Sequence, residues 1–298
     1  MHKLYGGDIM SKIGLVMGGG GAKGAYQVGA WKAICESGLD EYIESYSGSS
    51  IGALNCALIR LKTWEEASEI WMNWDLSNFF LTGGADLNDI SNAIIDIRND
   101  REIQFDGLFS RDGLIELLNI IEIEKLENSQ VNFFTTVSNI TAFPEDRRIM
   151  DTVLDWYNGK NAGFVQYINL KNKSKKFIVD ILLATSAIPI VYQPVEIGGQ
   201  FYVDGGINDN LPVAPVFRMG YKKIIAISCS QINYSSLKRR FPSSSILLIQ
   251  PSKYLGNLIE GTLNFKKSKL KDSYNLGYAD AMKAVKNSRV SVERLLTY

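Results

Sequence analysis

Histidine is nearly absent from this sequence: 298 residues contain one, His2, in the N-terminal tail. A Ser-His-Asp triad needs a histidine held by the fold, so such a triad is not expected within this chain, and a histidine-rich metal site is excluded. Neither a metal nor a cofactor is expected. Cysteine is scarce too. Cys35, Cys56 and Cys229 show no framework spacing and sit among apolar residues, the pattern of buried reduced thiols. No apolar run reaches the length of about 18 residues that marks a membrane-spanning helix. Charge of neither sign predominates: 32 Lys and Arg balance 32 Asp and Glu, so the total gives no argument for a nucleic-acid partner. Met1 to Ser11 contain Gly6-Gly7-Asp8 and no apolar core, so no secretory leader is expected. A cytoplasmic location follows as the expectation, peripheral to a membrane at most.

What the chain does have is glycine in particular places. Gly48-Ser49-Ser50-Ile51-Gly52 has the Gly-x-Ser-x-Gly spacing of a nucleophile elbow. A serine at the tip of a strand-to-helix turn sits on strained backbone, and its neighbours two before and two after crowd together at the turn's neck. Tyr42 to Tyr46 reads as a short strand before the motif, and Ile51 to Ile59 as a buried helix after it. That helix would aim its positive end at Ser50. Ser49 is the rival nucleophile, disfavoured because it breaks the symmetric glycine spacing. With no usable histidine, the base for either serine must be another group.

Lys12 to Met17 reads as a buried first strand, followed by Gly18-Gly19-Gly20-Gly21-Ala22-Lys23-Gly24 and a helix from about Ala25 to Ser37. Strand, glycine loop and helix make a cradle of backbone N–H groups for a phosphate or an oxyanion. Gly19-x-Gly21-x-x-Gly24 also matches a dinucleotide fingerprint. That reading requires an acidic residue at the end of the second strand, where this chain has Tyr46-Ser47. A P-loop is excluded because Gly24, not Ser or Thr, follows Lys23.

Further along, Thr63-Trp64-Glu65-Glu66 predicts a capping box, and Trp64, Ala67, Ile70, Trp71 and Trp74 follow at helical spacing as a core face, with an acyl-binding wall as the alternative. Phe79 and Phe80 are candidates to flank an apolar channel. Helices are expected over Leu87 to Ile97, Gly113 to Leu126, Phe177 to Ser186, Val213 to Met219 and Asn275 to Ser288. Strands are expected over Val131 to Ser138, Lys223 to Cys229 and Ser245 to Gln250, with a Gly198-Gly199 hairpin joining Val195–Ile197 to Gln200–Val203. The basic stretch from Gly159 to Lys176 reads as a solvated loop, with a membrane-facing patch as the alternative. Leu255, Leu258, Ile259, Leu263 and Leu270 recur at helical spacing beside Lys266, Lys267, Lys269 and Lys271. That pattern predicts a helix packed on the sheet with a wet basic side, or lying on an anionic membrane surface.

Asp204-Gly205-Gly206 follows the hairpin, with Asp209, the rival base, five residues on. Together with the glycine loop, the elbow and Ala184-Thr185-Ser186-Ala187-Ile188-Pro189, in that order, it makes the chain resemble the patatin-like phospholipase family over roughly Ile13 to Val216. The resemblance implies a three-layer α/β/α sandwich with a mainly parallel central sheet. It implies one catalytic region over 13–216, with 217–298 completing the same domain. By resemblance Ser50 is the nucleophile, Asp204 the sole base, and Gly19, Gly20 and Gly21 the oxyanion hole. Lys23, where many members carry arginine, is the candidate contact for a substrate phosphate, a single ammonium in place of a bidentate fork. The implied activity is hydrolysis of carboxylic esters in phospholipids, lysophospholipids or acylglycerols through an acyl-enzyme. The implied partner is therefore a lipid ester, met in transient contact with a membrane surface. An acyltransferase with the same acyl-enzyme, or a non-catalytic lipid- or nucleotide-binding module, stays open as an alternative.

Overall fold

A computed structural model describes residues 12–83, 86–99, 107–144, 148–157, 160 and 162–287. Eight strands form one sheet: β1 (Ile13–Met17), β2 (Ile43–Ser49), β3 (Asn132–Asn139), β4 (Phe164–Asn169), β5 (Val195–Ile197), β6 (Gln200–Asp204), β7 (Lys223–Ile227) and β8 (Ser245–Ile249). Their order is β5-β6-β3-β2-β1-β7-β8, with β4 also on β3. The run β3-β2-β1-β7-β8 is parallel, whereas β4, β5 and β6 pair antiparallel. The helices before the middle of the chain are α1 (Gly24–Glu36), α2 (Ile51–Leu61), α3 (Trp64–Asn73), α4 (Ser77–Phe80), α5 (Leu87–Arg98) and α6 (Asp112–Ile120). Then come α7 (Arg148–Tyr157), α8 (Lys175–Thr185), α9 (Val213–Arg218), α10 (Tyr234–Arg240) and α11 (Lys267–Asn287). Among the described residues no helix is long and apolar enough to cross a membrane.

Alternation along the central strand sorts the layers. Ile13, Leu15 and Met17 join one core with Tyr26 of α1, Leu54 of α2, Ile178 of α8 and Leu270 of α11. Val16, between them, joins a second core with Val213 and Val216 of α9, Ile224 and Ala226 of β7, and Leu237 of α10. Helices therefore cover both faces of a mostly parallel sheet, the α/β/α layering that the strand and helix order implies.

Strand β3 acts as a ruler for two others. Its residues Asn132 to Thr136 pair with Ser45 to Ser49 of β2, and Val137 to Asn139 pair with Asp204 to Tyr202 of β6. Because β4 covers Phe134 to Asn139 from the other side, β2 and β6 share a single edge of β3, one beginning where the other stops. Ser49 and Asp204 thus occupy adjacent rungs.

Three sequence expectations need correction. The helix expected over Gly113 to Leu126 stops at Ile120, and Ile123–Leu126 forms a separate 3-10 turn. Glu122 between them is left-handed, φ 63°, with its carboxylate held by Lys62 and Lys125 at 2.7 Å each. The basic stretch after Gly159 is not all loop, since β4 lies inside it. Its exposed Phe164 and Val165, and the lysines that follow, hide a half-covered edge strand. The apolar spacing from Leu255 to Leu270 crosses a break: Leu258–Thr262 is a π-helical turn and α11 begins only at Lys267. Asn257 Oδ1 accepts the Glu260 N–H at 2.8 Å and Asn264 Oδ1 accepts the Lys266 N–H at 3.2 Å, so one helix end is capped and another started within a few residues. The helix expected over Asn275 to Ser288 is the later part of α11 as far as Asn287, Ser288 lying outside the described residues. The capping box at Thr63 is present, with Glu66 N–H to Thr63 Oγ1 at 3.2 Å and Thr63 N–H to Glu66 Oε2 at 2.8 Å.

Helices α1 and α11 cross with backbones in contact. A Cβ on Gly29 would lie 1.9 Å from the Tyr274 carbonyl oxygen, and one on Gly277 would lie 1.9 Å from that of Tyr26. Ser273, Gly277 and Ala281 put small buried residues along this seam. Gly29→Ala and Gly277→Ala should each lower stability by about 1–3 kcal/mol, the usual range for overpacking. Urea midpoints measure this, and an unchanged midpoint in both variants would mean that the helices do not meet at these glycines.

Candidate active site

Ser50 stands alone between β2 and α2, with φ 54° and ψ −131°. For a residue with a Cβ this is a strained conformation, costing on the order of 1–3 kcal/mol. Its flanking glycines have no room for side chains: a Cβ on Gly48 would lie 2.4 Å from the Ala53 nitrogen, and one on Gly52 would lie 2.2 Å from the Met17 carbonyl oxygen. The elbow is therefore wedged against the end of β1. The Ser50 hydroxyl donates to Asp204 Oδ2 at 2.5 Å, with both residues buried.

Asp204 ends β6. Its other oxygen, Oδ1, accepts the Gly206 N–H at 2.7 Å; its own N–H donates to the Ala187 carbonyl at 2.9 Å, and its carbonyl accepts the Ser138 hydroxyl at 3.0 Å. Burial pushes the carboxyl up to about 7, against the opposing effect of the hydrogen bonds from Ser50 and Gly206. A carboxylate so placed can take a proton from a serine near neutral pH. The rivals are placed otherwise. Asp209 accepts the Tyr167 hydroxyl at 2.6 Å, and the fully buried Ser49 hydroxyl has no hydrogen-bond partner among the described residues.

The glycine loop lies beside this pair. Gly19, Gly20, Gly21, Lys23, Ser50 and Asp204 line one cavity of about 340 Å³, with Leu258 and Thr262 also in its wall. The Gly19 N–H is already bonded to the Asn210 carbonyl at 3.0 Å, so the expectation that all three glycine amides face a ligand needs correction. Gly20 and Gly21 donate to no acceptor among the described residues. Burial lowers Lys23 below the ordinary lysine range, opposed by Cys229 and reinforced by Lys269. Burial likewise pushes the Cys229 thiol up to about 12, which leaves it a neutral wall and no competing nucleophile. Among the described residues no group of three His, Cys, Asp or Glu side chains is placed to hold a metal ion.

A buried polar chain anchors the loop. Gln27 Nε2 donates to the Gly18 carbonyl at 2.5 Å, Asn55 Nδ2 donates to Gln27 Oε1 at 2.8 Å, and Trp71 Nε1 donates to Asn55 Oδ1 at 3.0 Å. Sequence reasoning placed Trp71 on a core face and quoted Thr185 within a motif, but gave neither a polar role, and it passed over Gln27, Asn210 and Thr262. The available signal was Gln27 and Asn55, amides inside otherwise apolar helices, since a buried amide must find partners. On the apolar side of Ser50, a void of about 20 Å³ is lined by Ile51, Leu54, Phe80, Leu263 and Phe265. A second of similar size continues past Ile51, Leu54 and Phe80 to Leu58, Trp71 and Leu118. Ile70, Trp71 and Phe80 are thus both core and wall.

A family model for patatin-like phospholipases matches residues 15–217, and the chain belongs to the patatin-like phospholipase family. Neuropathy target esterase sws of Drosophila melanogaster is 27% identical over 221 residues, covering 73% of this chain and 13% of the relative. Lysophospholipase NTE1 of Mycosarcoma maydis is 25% identical over 228 residues, covering 75% and 10%. The chain thus spans about a tenth of the length of these relatives. Two solved structures share the fold: VipD of Legionella pneumophila, with TM-score 0.56 and 14% identity over 93% of this chain and 67% of that one, and human GIVD cytosolic phospholipase A2, with TM-score 0.51 and 9% identity over 99% and 61%.

The raised Asp204 value has a sign. The folded state holds this proton more tightly than an unfolded chain, where the ordinary value is 3.8, so the stability it contributes is present at low pH and is lost as pH rises through about 7. Asp204→Asn, which carries no such proton, should gain stability relative to wild type between about pH 5 and about pH 8. Denaturant titrations at the two pH values test this; a stability difference independent of pH would mean that Asp204 titrates as an ordinary aspartate.

Proposed function

We propose that this protein hydrolyses carboxylic esters of lipids, with Ser50 as nucleophile and Asp204 as its only base. The observation that carries the reading is the 2.5 Å hydrogen bond from the Ser50 hydroxyl to Asp204, made inside a cavity that the glycine loop also lines. As Ser50 Oγ attacks the ester carbonyl, its proton passes to Asp204. The negative charge on the former carbonyl oxygen falls to the Gly20 and Gly21 amides, each such donor contributing about 3 kcal/mol in comparable sites. The N-terminus of α2 adds its field at the same point. When the intermediate collapses, Asp204 returns the proton to the leaving alcohol and an acyl-Ser50 ester remains. Water, deprotonated by Asp204, then releases the fatty acid. Every step uses one carboxyl group cycling between two protonation states, which a value of about 7 suits.

The relatives' names, esterase and lysophospholipase, support a lipid ester of this kind; the acyl chain is assigned to the apolar wall of Ile51, Leu54 and Phe80, whose voids of about 20 Å³ each must widen to admit it. Lys23 is the one cation lining the cavity among the described residues and is assigned to a phosphate of the head group, with phospholipid, lysophospholipid and acylglycerol as the candidate classes. Work at a membrane surface from the cytoplasm fits these substrates. An alcohol acceptor in place of water would make the same acyl-enzyme a transferase, and product analysis with added lysolipid or glycerol separates the two.

Ser50→Ala should abolish hydrolysis of p-nitrophenyl esters and of a lipid-ester panel, while Ser49→Ala keeps much of it; the reverse pattern would reassign the elbow. Asp204→Asn should fold and lose turnover by several orders of magnitude, with Asp209→Asn and His2→Ala far milder. For wild type, kcat/KM should rise with pH along a limb near 7 and level off above it, because only unprotonated Asp204 accepts the serine proton. A flat profile from about pH 5 to about pH 9 would exclude Asp204 as the base.

A further inference from the structure

We infer that Thr185 is a positioning residue that holds the nucleophile's strained peptide in place, an inference resting on the reading of Ser50 as nucleophile. Thr185 closes α8 and is fully buried. A threonine near a helix end ordinarily bonds back to the carbonyl four residues earlier. Its neighbour Ser186 does this, donating to the Leu182 carbonyl at 2.9 Å. The Thr185 hydroxyl instead crosses to the sheet and donates to the Thr136 carbonyl at 2.5 Å. The same oxygen accepts the N–H of Ser50 at 2.9 Å.

Both partners lie where the shared edge of β3 passes from one strand to the next. Thr136 is the last rung of β3 paired with β2, and Val137 the first paired with β6. The Thr136 carbonyl therefore lies at the handover, and the hydroxyl claims it. Ser50, just past the end of β2 and turned to positive φ, has left the ladder with an N–H to satisfy. One hydroxyl, donor on one side and acceptor on the other, joins the peptide of the strained serine to β3, the strand against which Asp204 of β6 is paired. It thereby fixes where Ser50 Oγ lies relative to the carboxylate. Removing the hydroxyl leaves a buried donor and a buried acceptor unmatched, the situation proteins tolerate least.

A positioning role acts on the transition state more than on substrate binding. Thr185→Val, which keeps the shape and excludes a replacement water, should lower kcat on a short p-nitrophenyl ester by about ten- to a hundredfold. KM should stay within about twofold, and the rate of labelling by a fluorophosphonate should fall in parallel. Thr185→Ser, which keeps the hydroxyl, should restore kcat to within a few-fold. A folded Thr185→Val enzyme with kcat within about twofold of wild type overturns the inference, as does a Thr185→Ser enzyme no better than Thr185→Val. Should Thr185→Val not fold, hydrogen exchange on the wild-type protein decides: the Ser50 amide is expected to be protected, and rapid exchange there overturns the inference. Labelling of wild type that is lost in Ser50→Ala tests the underlying reading separately. An unlabelled wild type sinks that reading, whereas labelling with an indifferent Thr185→Val sinks only the role of Thr185.

Discussion

One edge of β3 serves two strands in succession, and the geometry of the candidate site depends on that sharing. Ser50 and Asp204 are 154 residues apart in the chain, yet their hydroxyl and carboxylate meet at 2.5 Å. What sets the spacing is strand register: Ser49 opposite Thr136, Asp204 opposite Val137. Register is discrete, because a slip of one residue turns every side chain of a strand to the other face. A slip of one residue in either pairing would put the two groups on opposite sides of the sheet, so register is what first brings them together.

The same arrangement accounts for the electrostatics. A carboxylate at the end of an interior strand is dehydrated on every side that the sheet and helices cover, which raises its affinity for a proton. Only two hydrogen bonds, from Ser50 and from Gly206, restrain that rise. The balance leaves the carboxyl near neutrality, where a histidine would ordinarily work. A chain with one histidine thus places a neutral-range titrating group in its site by burying an aspartate.

The legible part of the sequence was local. The elbow, the glycine loop and the hairpin announce themselves because each needs glycine at a particular backbone step, and the strands and helices around them lie where the apolar patterns put them. What stayed hidden was of two kinds. Helical spacing ran unbroken across Glu122 and across the gap between Thr262 and Lys267, where a left-handed residue and a capping side chain interrupt the backbone without disturbing the apolar count. The polar chain from Gly18 through Gln27 and Asn55 to Trp71, and the bridge at Thr185, each consist of residues ordinary in their own segment that acquire meaning only from a partner far away in sequence. No local pattern encodes at which rung one strand will hand over to the next.

The close crossing of α1 and α11 bears on modularity. The stretch matched by the family model ends at residue 217, but β7 pairs along the whole of β1, and the Gly18 N–H at the mouth of the glycine loop donates to Ile227. Helix α11 then lies against the helix that the loop opens into. A fragment ending at 217 would keep every motif and lose the neighbours that hold the first of them in shape. When such a region is moved between longer polypeptides, the unit of inheritance that preserves its loop is therefore the motif-bearing stretch together with the helix and two strands that follow it, and a recombination point between them would separate a recognisable signature from its working geometry.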